Sequence, residues 1–407
     1  MPVTATPPPQ SSNALGFRAP ALAGDPFGVY VHIPFCAHIC PYCDFNTYAG
    51  QADRIPDYIH AIERETTIWS GEFAGRIASS VFIGGGTPSQ LTADQIARVL
   101  GACRDAFTVA PDAEITIETN PNDLSERYCE ALLAAGIGRI SIGAQTLDRR
   151  GLRVLGRRHE ASTVASAVSA ARAAGFANIS LDFIYGWPGQ TLDRWQRDVE
   201  WVLGGQVGGA PPDHLSLYGL IVEPGTPMAD AVHRGILTPV DDDMAADFTE
   251  LAMELLAAAG WTHYEIANWC ARPDAASRHN AIYWRNGDYA GIGAGAHGHV
   301  GATRTMNQPS PQRYIDALLA GRSPLSNTES ISERTAMGET MMLGLRLLQN
   351  GVSTEAFIQR HGVSIEEQFG AQLARLDRLG LLIVERERVR LSHRGGLVAN
   401  SVCAEFL

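Results

Sequence analysis

The sequence predicts an α/β protein built on a partial (β/α)6 barrel, with a smaller, mainly helical C-terminal region. Three observations carry that expectation. From Gly28 to about Leu220, short β-branched runs alternate with longer stretches of helical periodicity. Strands fall at 29–33, 80–83, 115–118, 139–143, 179–183 and 214–218, and helices at 55–69, 93–107, 124–135, 162–174 and 192–203. Such units require right-handed parallel crossovers. Each strand is also followed by a polar or glycine motif, and parallel α/β folds gather ligand chemistry at the carboxyl ends of their strands. Finally, six units fall short of the eight in a closed barrel, so one side is expected to be open.

The first strand leads into Cys36-Ala-His-Ile-Cys40-Pro-Tyr-Cys43. Gly84-Gly85-Gly86-Thr87-Pro88 follows the second, and Glu118-Thr-Asn-Pro121 ends the third. Gln145 follows the fourth, and Asp182 with Tyr185-Gly-Trp-Pro-Gly189 ends the fifth. Gly136 and Gly175 stand where helix C-caps belong. Beyond a linker-like stretch at 222–228 the rhythm breaks. A helix at 241–259, a strand or extended segment at 261–269 and the run Gly291-Ile-Gly-Ala-Gly-Ala-His-Gly298 come next. Helices at 333–349, 354–361 and 365–379 precede a two-stranded wing at 381–385 and 388–391, the outline of a winged helix. The expected division is a disordered tail over 1–25, the barrel over 26–240 and the C-terminal region over 241–407.

Composition narrows the class. Hydrophobic residues make up 45% and charged residues 19% of 407, as in a soluble globular protein with a large core. A net charge of −12 argues against a nucleic-acid coat or a protein that spreads over anionic membranes. No apolar run is long enough to span a bilayer, and the Pro-, Ala- and Ser-rich start lacks a secretory signal pattern. Of the seven cysteines, Cys103, Cys129, Cys270 and Cys403 are scattered without pair spacing. That points to a reduced compartment, the cytoplasm, with one metal site instead of a disulfide framework.

Cys36, Cys40 and Cys43 offer three thiolates to one centre and withhold a fourth. A [4Fe–4S] cluster takes four cysteine ligands, so three leave one iron open for an exchangeable ligand. The alternative is zinc, with His32 or His38 completing a Cys3His set, although zinc modules usually present two ligand pairs.

Tyr30-Val-His-Ile-Pro-Phe35, followed by Cys-x3-Cys-x2-Cys, resembles the cluster motif of radical S-adenosylmethionine (SAM) enzymes. The resemblance implies that the amine and carboxylate of SAM complete the open iron, and that the protein binds and orients the cofactor. The GGGTP and ETNP motifs, Ile142-Gly-Ala-Gln145, Leu155-Gly-Arg157, Asp182-x2-Tyr185-Gly and Tyr218-Gly-Leu narrow it to the oxygen-independent coproporphyrinogen III oxidase group. This likeness runs from Gly28 to Leu407. It implies that Tyr30, Gly85, Glu118 and Ala296, beside His297, contact cluster-bound SAM. Tyr42, Gly86, Thr87, Gln145, Arg157, Asp182 and Gly219 match positions lining a second SAM site in the oxidases.

Two departures separate this chain from the true oxidases. Their motif continues as Cys-x-Cys, where this sequence has Phe45, and much of their N-terminal extension is missing. Both features resemble the HemW-type heme chaperones, which bind heme and an iron–sulfur cluster and are thought to pass heme to acceptor proteins. His279-Asn280-Ala-Ile-Tyr283-Trp284 matches a motif characteristic of that group. An imidazole can ligate heme iron while Tyr and Trp pack on the macrocycle. The same residues also read as a hydrogen-bonded histidine beside a packed aromatic pair. His297 and His299 are the next ligand candidates.

The expected function is heme binding and transfer, with a [4Fe–4S] cluster and SAM as cofactors. The expected partners are heme, an electron donor and an acceptor protein of respiratory, membrane-associated type. Coproporphyrinogen III decarboxylation is the alternative. The basic C-terminal tail interleaves Asp377, Glu385 and Glu387 with its arginines, so it reads as a solvated or protein-docking surface without nucleic acid.

Overall fold

The computed structural model describes residues 26–205 and 209–407; the tail expected over 1–25 lies outside the described residues. Strands β1 (Phe27–Ile33), β2 (Ile77–Gly85), β3 (Thr108–Thr119), β4 (Arg139–Gln145), β5 (Asn178–Tyr185) and β6 (His214–Gly219) pair in parallel and in chain order. Between them run α1 (Ile55–Ser70), α2 (Ala93–Ala106), α3 (Glu126–Ala135), α4 (Arg149–Val154), α5 (Ala161–Ala174) and α6 (Leu192–Leu203). The six expected strands and their five helices are all present, with the short α4 added. Local chemistry explains the boundaries. Thr92 and Gln95 form a reciprocal capping box on α2, while Gly136 and Gly175 end α3 and α5 in the left-handed conformation.

These strands alternate in an unusual way for a parallel sheet, whose strands normally read as continuous apolar runs. Val81, Ile83, Ile117, Ile140 and Leu181 are buried in the main hydrophobic core. In the third to sixth strands the residues between them are polar, and the register places Glu118 beside Ser141, Ser141 beside Ser180, and Asp182 beside Ser216. One face of the barrel wall is therefore hydrophobic and the other carries buried polar groups.

The sheet does not stop at the division expected near residue 240. After α7 (Pro227–His233) and α8 (Asp242–Ala258), β7 (Thr262–Glu265) and β8 (Asn268–Cys270) extend the β6 edge. Helix α9 (Arg278–Trp284) follows, and β9 (Tyr289–Ile292) pairs in parallel with β1. Antiparallel β10 (His297–Val300), β11 (Thr303–Asn307) and, after α10 (Pro311–Leu319), β12 (Leu325–Ser330) complete a 12-stranded sheet. Its order is β12-β11-β10-β9-β1-β2-β3-β4-β5-β6-β8-β7. The C-terminal module comprises α11 (Glu333–Gly344), β13 (Val352–Ser353), α12 (Thr354–His361), α13 (Ile365–Arg378), β14 (Leu382–Val384), β15 (Arg388–Leu391), α14 (His393–Leu397) and α15 (Ala399–Ala404). Met341, Phe357, Phe369, Leu382 and Phe406 give it a separate hydrophobic core. Arg375 pairs with Glu405, and Arg388 and Arg390 with Glu385, so much of its basic character is locally neutralised.

Helix α1 locks the first strand to a segment some 260 residues later. The Tyr58 hydroxyl donates to the His32 carbonyl (2.8 Å) and accepts from the Ala294 N–H (2.7 Å). Two turns on, fully buried Glu65 accepts from Gly293 N–H (2.8 Å), Asn307 Nδ2 (2.6 Å), the Tyr314 hydroxyl (2.5 Å) and Trp69 Nε1 (3.3 Å). Burial pushes Glu65 from its ordinary 4.5 up to about 7, although those donors oppose the shift. Because the folded pKa is the higher one, Glu65 destabilises the fold progressively as pH rises from about 4.5 to about 7. Relative to wild type, Glu65→Gln is expected to gain on the order of 3 kcal/mol between pH 4 and pH 8. Urea midpoints of both proteins at the two pH values provide the check, and parallel pH profiles would contradict it.

Candidate functional site

The cysteine loop is gripped from three sides. Gly86 N–H and Thr87 N–H donate to the carbonyls of Ile33 and Phe35, both at 2.8 Å. Met228 N–H donates to the Pro41 carbonyl (2.9 Å). Asn46 Nδ2 donates to Ala294 O (2.9 Å) and Pro309 O (3.0 Å), stapling the loop to the glycine-rich run. At Gly85, φ is +113° and a Cβ would lie 2.5 Å from the His32 ring, so glycine answers both backbone and space there.

Donors already face two sulfurs of the loop. The Thr87 hydroxyl donates to Cys36 Sγ (3.3 Å), and Arg157 Nη1 to Cys40 Sγ (3.6 Å). Burial raises the Cys36 and Cys43 thiols, with Thr87 opposing at Cys36 and backbone and hydroxyl donors from Phe45 and Thr47 opposing at Cys43. Hydrogen-bond donors aimed at sulfur are what an iron–sulfur centre uses to stabilise thiolate charge. Of the two histidines in the zinc alternative, His32 is ruled out, since it spends Nδ1 on the Tyr30 hydroxyl (2.9 Å) and Nε2 on the Asn46 carbonyl (2.9 Å), while His38 donates Nε2–H to the Gly156 carbonyl (3.1 Å) and has only Nδ1 to offer a metal.

Tyr30, Gly85, Glu118 and Ala296 line one cavity of about 690 Å³, the four positions expected to act together. Glu118 Oε2 accepts from Gly85 N–H (2.9 Å), and burial pushes its carboxyl up to about 7. A second cavity of about 220 Å³ shares Tyr30, Glu118 and Tyr283 with the first and is lined also by Asp182. The Ser141 hydroxyl donates to both Asp182 oxygens (3.0 and 2.8 Å), and burial raises this carboxyl too.

The remaining candidates lie along the same rim. Gln145 is buried at a bulge with φ +57°, a costly conformation for a residue with a Cβ. Asp198 holds that turn by accepting from the Thr146 hydroxyl (2.6 Å) and Leu147 N–H (3.2 Å). Gln145 Oε1 and Arg157 Nε are buried with no partner among the described residues, which suits a rim built around a polar ligand. Tyr42 packs against Leu155, Trp187 and Met228. Gly219 stands beside Tyr185 at the end of β6.

His279 is placed differently from what an axial ligand requires. It is 1% exposed, with Nδ1 against the Ser80 hydroxyl (2.8 Å), Nε2 against the Tyr283 hydroxyl (2.8 Å) and its ring stacked on Phe82. Burial pushes it down to about 3, so it is neutral, yet both nitrogens are spent inside the fold.

Residues 30–202 match the Radical SAM superfamily, and residues 331–398 match the HemN C-terminal domain. The protein named heme chaperone HemW from Bacillus subtilis is 36% identical, covering 93% of this chain and 98% of its own. Its namesake in Mycobacterium tuberculosis is 38% identical over 95% and 96%. This chain belongs to the HemW family. The coproporphyrinogen III oxidase HemN of Escherichia coli shares the fold, with a TM-score of 0.79 at 23% identity over 94% of this chain and 90% of that one.

On this HemW-family scaffold, several residues escaped the sequence reading. Asn46 carries no motif signal. Arg139 reads in the sequence only as the start of a strand, but it is 3% exposed, lines the smaller cavity and has an Nε with no partner among the described residues. Its signal was present: Arg139-x-Ser141 and Ser180-x-Asp182 alternate polar residues in strands of a parallel sheet. Gly85→Ala is expected to lower stability by roughly 1–3 kcal/mol through strain and the His32 clash. By contrast, Gly101→Ala in α2, with open space around it, should raise stability by roughly 0.5–1 kcal/mol. Denaturant midpoints would test the pair, and equal effects would refute the reason given for Gly85.

Proposed function

We propose that this protein is a heme chaperone that holds a [4Fe–4S] cluster on Cys36, Cys40 and Cys43, binds SAM at the open iron and passes heme to an acceptor protein. The observation that carries the proposal is the cavity beside the cysteine loop. Its wall presents an aromatic residue, Phe45, where the oxidases resemble one another in having cysteine. The HemW relatives, aligned over more than nine-tenths of this chain, support the same reading.

Bound together, a reduced cluster and SAM supply one-electron chemistry, which belongs to the cofactors. The protein's part is binding and orientation. Gly85 donates its N–H to Glu118 and so orients that carboxylate, Glu118 can accept from a hydroxyl or ammonium donor, and Arg157 steadies Cys40. Gln145 and Asp182 extend this polar rim toward a second bound molecule. Tyr42, Gly86, Thr87 and Gly219 support it through the backbone and packing. No helix among the described residues is long and apolar enough to cross a membrane. A cytoplasmic protein delivering heme to a membrane-associated respiratory acceptor, and served by an electron donor, fits this reading.

Reconstituted anaerobically, the protein is expected to bind hemin stoichiometrically and to leave coproporphyrinogen III unchanged in the presence of SAM and a reductant. Catalytic decarboxylation would overturn the proposal in favour of an oxidase. Cys40→Ser is expected to lose the four-iron cluster by iron content and visible absorbance; a full cluster in that variant would remove the metal assignment.

A further inference from the structure

We infer that α4 and the turn after it are the docking surface for an acidic electron-carrier protein that reduces the cluster. This rests on the cluster assignment of the heme-chaperone reading and gives its electron donor a chemical class and a place. Residues 149–158, Arg-Arg-Gly-Leu-Arg-Val-Leu-Gly-Arg-Arg, hold five arginines and no acid, in a chain of net charge −12. Arg149, Arg150, Arg153 and Arg158 are exposed, and none has a carboxylate within ion-pair distance among the described residues. Asp148, just ahead of them, is already paired with Arg194 of α6. Elsewhere cations are neutralised locally, as in the C-terminal module; here four stand uncompensated side by side.

This cationic group is built onto the cysteine loop. At Gly156, φ is +65° and a Cβ would lie 2.4 Å from Pro41 Cδ, so the turn after α4 lies directly on the loop. His38 Nε2 donates to the Gly156 carbonyl, and Arg157 Nη1 to Cys40 Sγ. Exposed Arg158 is thus one residue away from a bond to a cluster thiol. Ile39 lies between His38 and Cys40 and is 50% exposed, which sets an apolar spot beside the arginines. The platform beneath is fixed. A Cβ at Gly151 would come within 2.7 Å of the buried Trp187 ring, and Leu155 is buried with Trp187 and Met228.

Charge and position select the occupant. An acidic carrier is repelled by most of an acidic protein and attracted to this group alone, so the patch sets its orientation as well as its encounter rate. A small apolar centre with a charged rim suits a transient redox contact, the class that buries less than ~1,200 Å². The exchange needs no chemistry at the surface. One electron leaves the carrier, which is oxidised, and enters the cluster, which is reduced; no bond forms or breaks and no proton moves. Arginine suits the task because its charge does not titrate and its guanidinium meets carboxylates with paired N–H donors. A nucleic acid would need a cationic surface extending beyond ten residues, which the overall charge does not provide.

Stopped-flow reduction of the anaerobically reconstituted full-length protein tests the assignment, with a pre-reduced acidic ferredoxin as the probe. Arg149→Glu with Arg153→Glu, and separately Arg158→Glu, should slow cluster reduction ~10-fold or more at low salt. They should also flatten the decline of the rate with added salt, and lysine at the same positions should restore both. Reduction by photogenerated deazariboflavin radical, a small uncharged donor, should be the same in every variant. Equal ferredoxin rates in wild type and the glutamate variants would overturn the assignment. So would a parallel loss with deazariboflavin, which would mark the arginines as supports of the cluster itself. Tighter binding of a labelled single-stranded oligonucleotide than of the ferredoxin, lost in the same variants, would give the patch to nucleic acid instead. Iron content reports separately on the reading beneath: a wild type without a four-iron cluster would sink both.

Discussion

A buried tyrosine and a buried carboxylate on one helix hold this architecture together. Tyr58 and Glu65 lie seven residues apart, on one face of α1, and between them fix Gly293 and Ala294 against the carbonyl of His32. The first strand and a segment some 260 residues later are thereby locked at hydrogen-bond distance, and the edge that β1 would expose in a six-stranded barrel is paired with β9. Everything on the cavity floor depends on that lock. The glycine run cannot drift without dragging Asn46 and the cysteine loop with it, since Asn46 is bonded to the same run. A carboxylate is costly to bury, and here it is tolerated because four donors converge on it.

The barrel interior follows a related logic. Arg139, Glu118 and Asp182 share a small enclosed space with Ser141 and Ser216. Burial raises both carboxyls, and the arginine opposes that rise. Neither purely apolar packing nor a fully paired network occupies this space, because Arg139 retains an unpartnered nitrogen. Buried polar groups left incompletely satisfied are a cost to stability, and they concentrate where a polar ligand would complete them.

The six barrel strands and their helices were legible because each carries its own local signal: β-branched runs, helical periodicity and glycine caps at 136 and 175. The glycine and polar motifs marked the strand ends, so the rim of the site was legible as well. Beyond the extended segment at 261–269, which holds β7 and most of β8, the second half of the sheet was not. Strand β9 is Tyr-Ala-Gly-Ile and β10 is His-Gly-His-Val, each four residues long with a glycine inside, too short and too permissive to show a period. Only pairing with a distant strand makes them strands. Likewise, His279 looked like a ligand because its motif names residue types, whereas its bonds to Ser80 and Tyr283 arise from elements far apart in sequence.

The place of β1 in the sheet has a consequence for biosynthesis. One of its neighbours, β2, emerges from the ribosome soon after it, but the other, β9, begins at Tyr289. During most of translation, a buried, hydrophobic central strand presents an unpaired edge, with the cysteine loop attached to it. The thiols are thus exposed before the chamber beside them exists. Closure by β9 then turns an open loop into a shielded one, so the loop is reached more easily before final folding than after it.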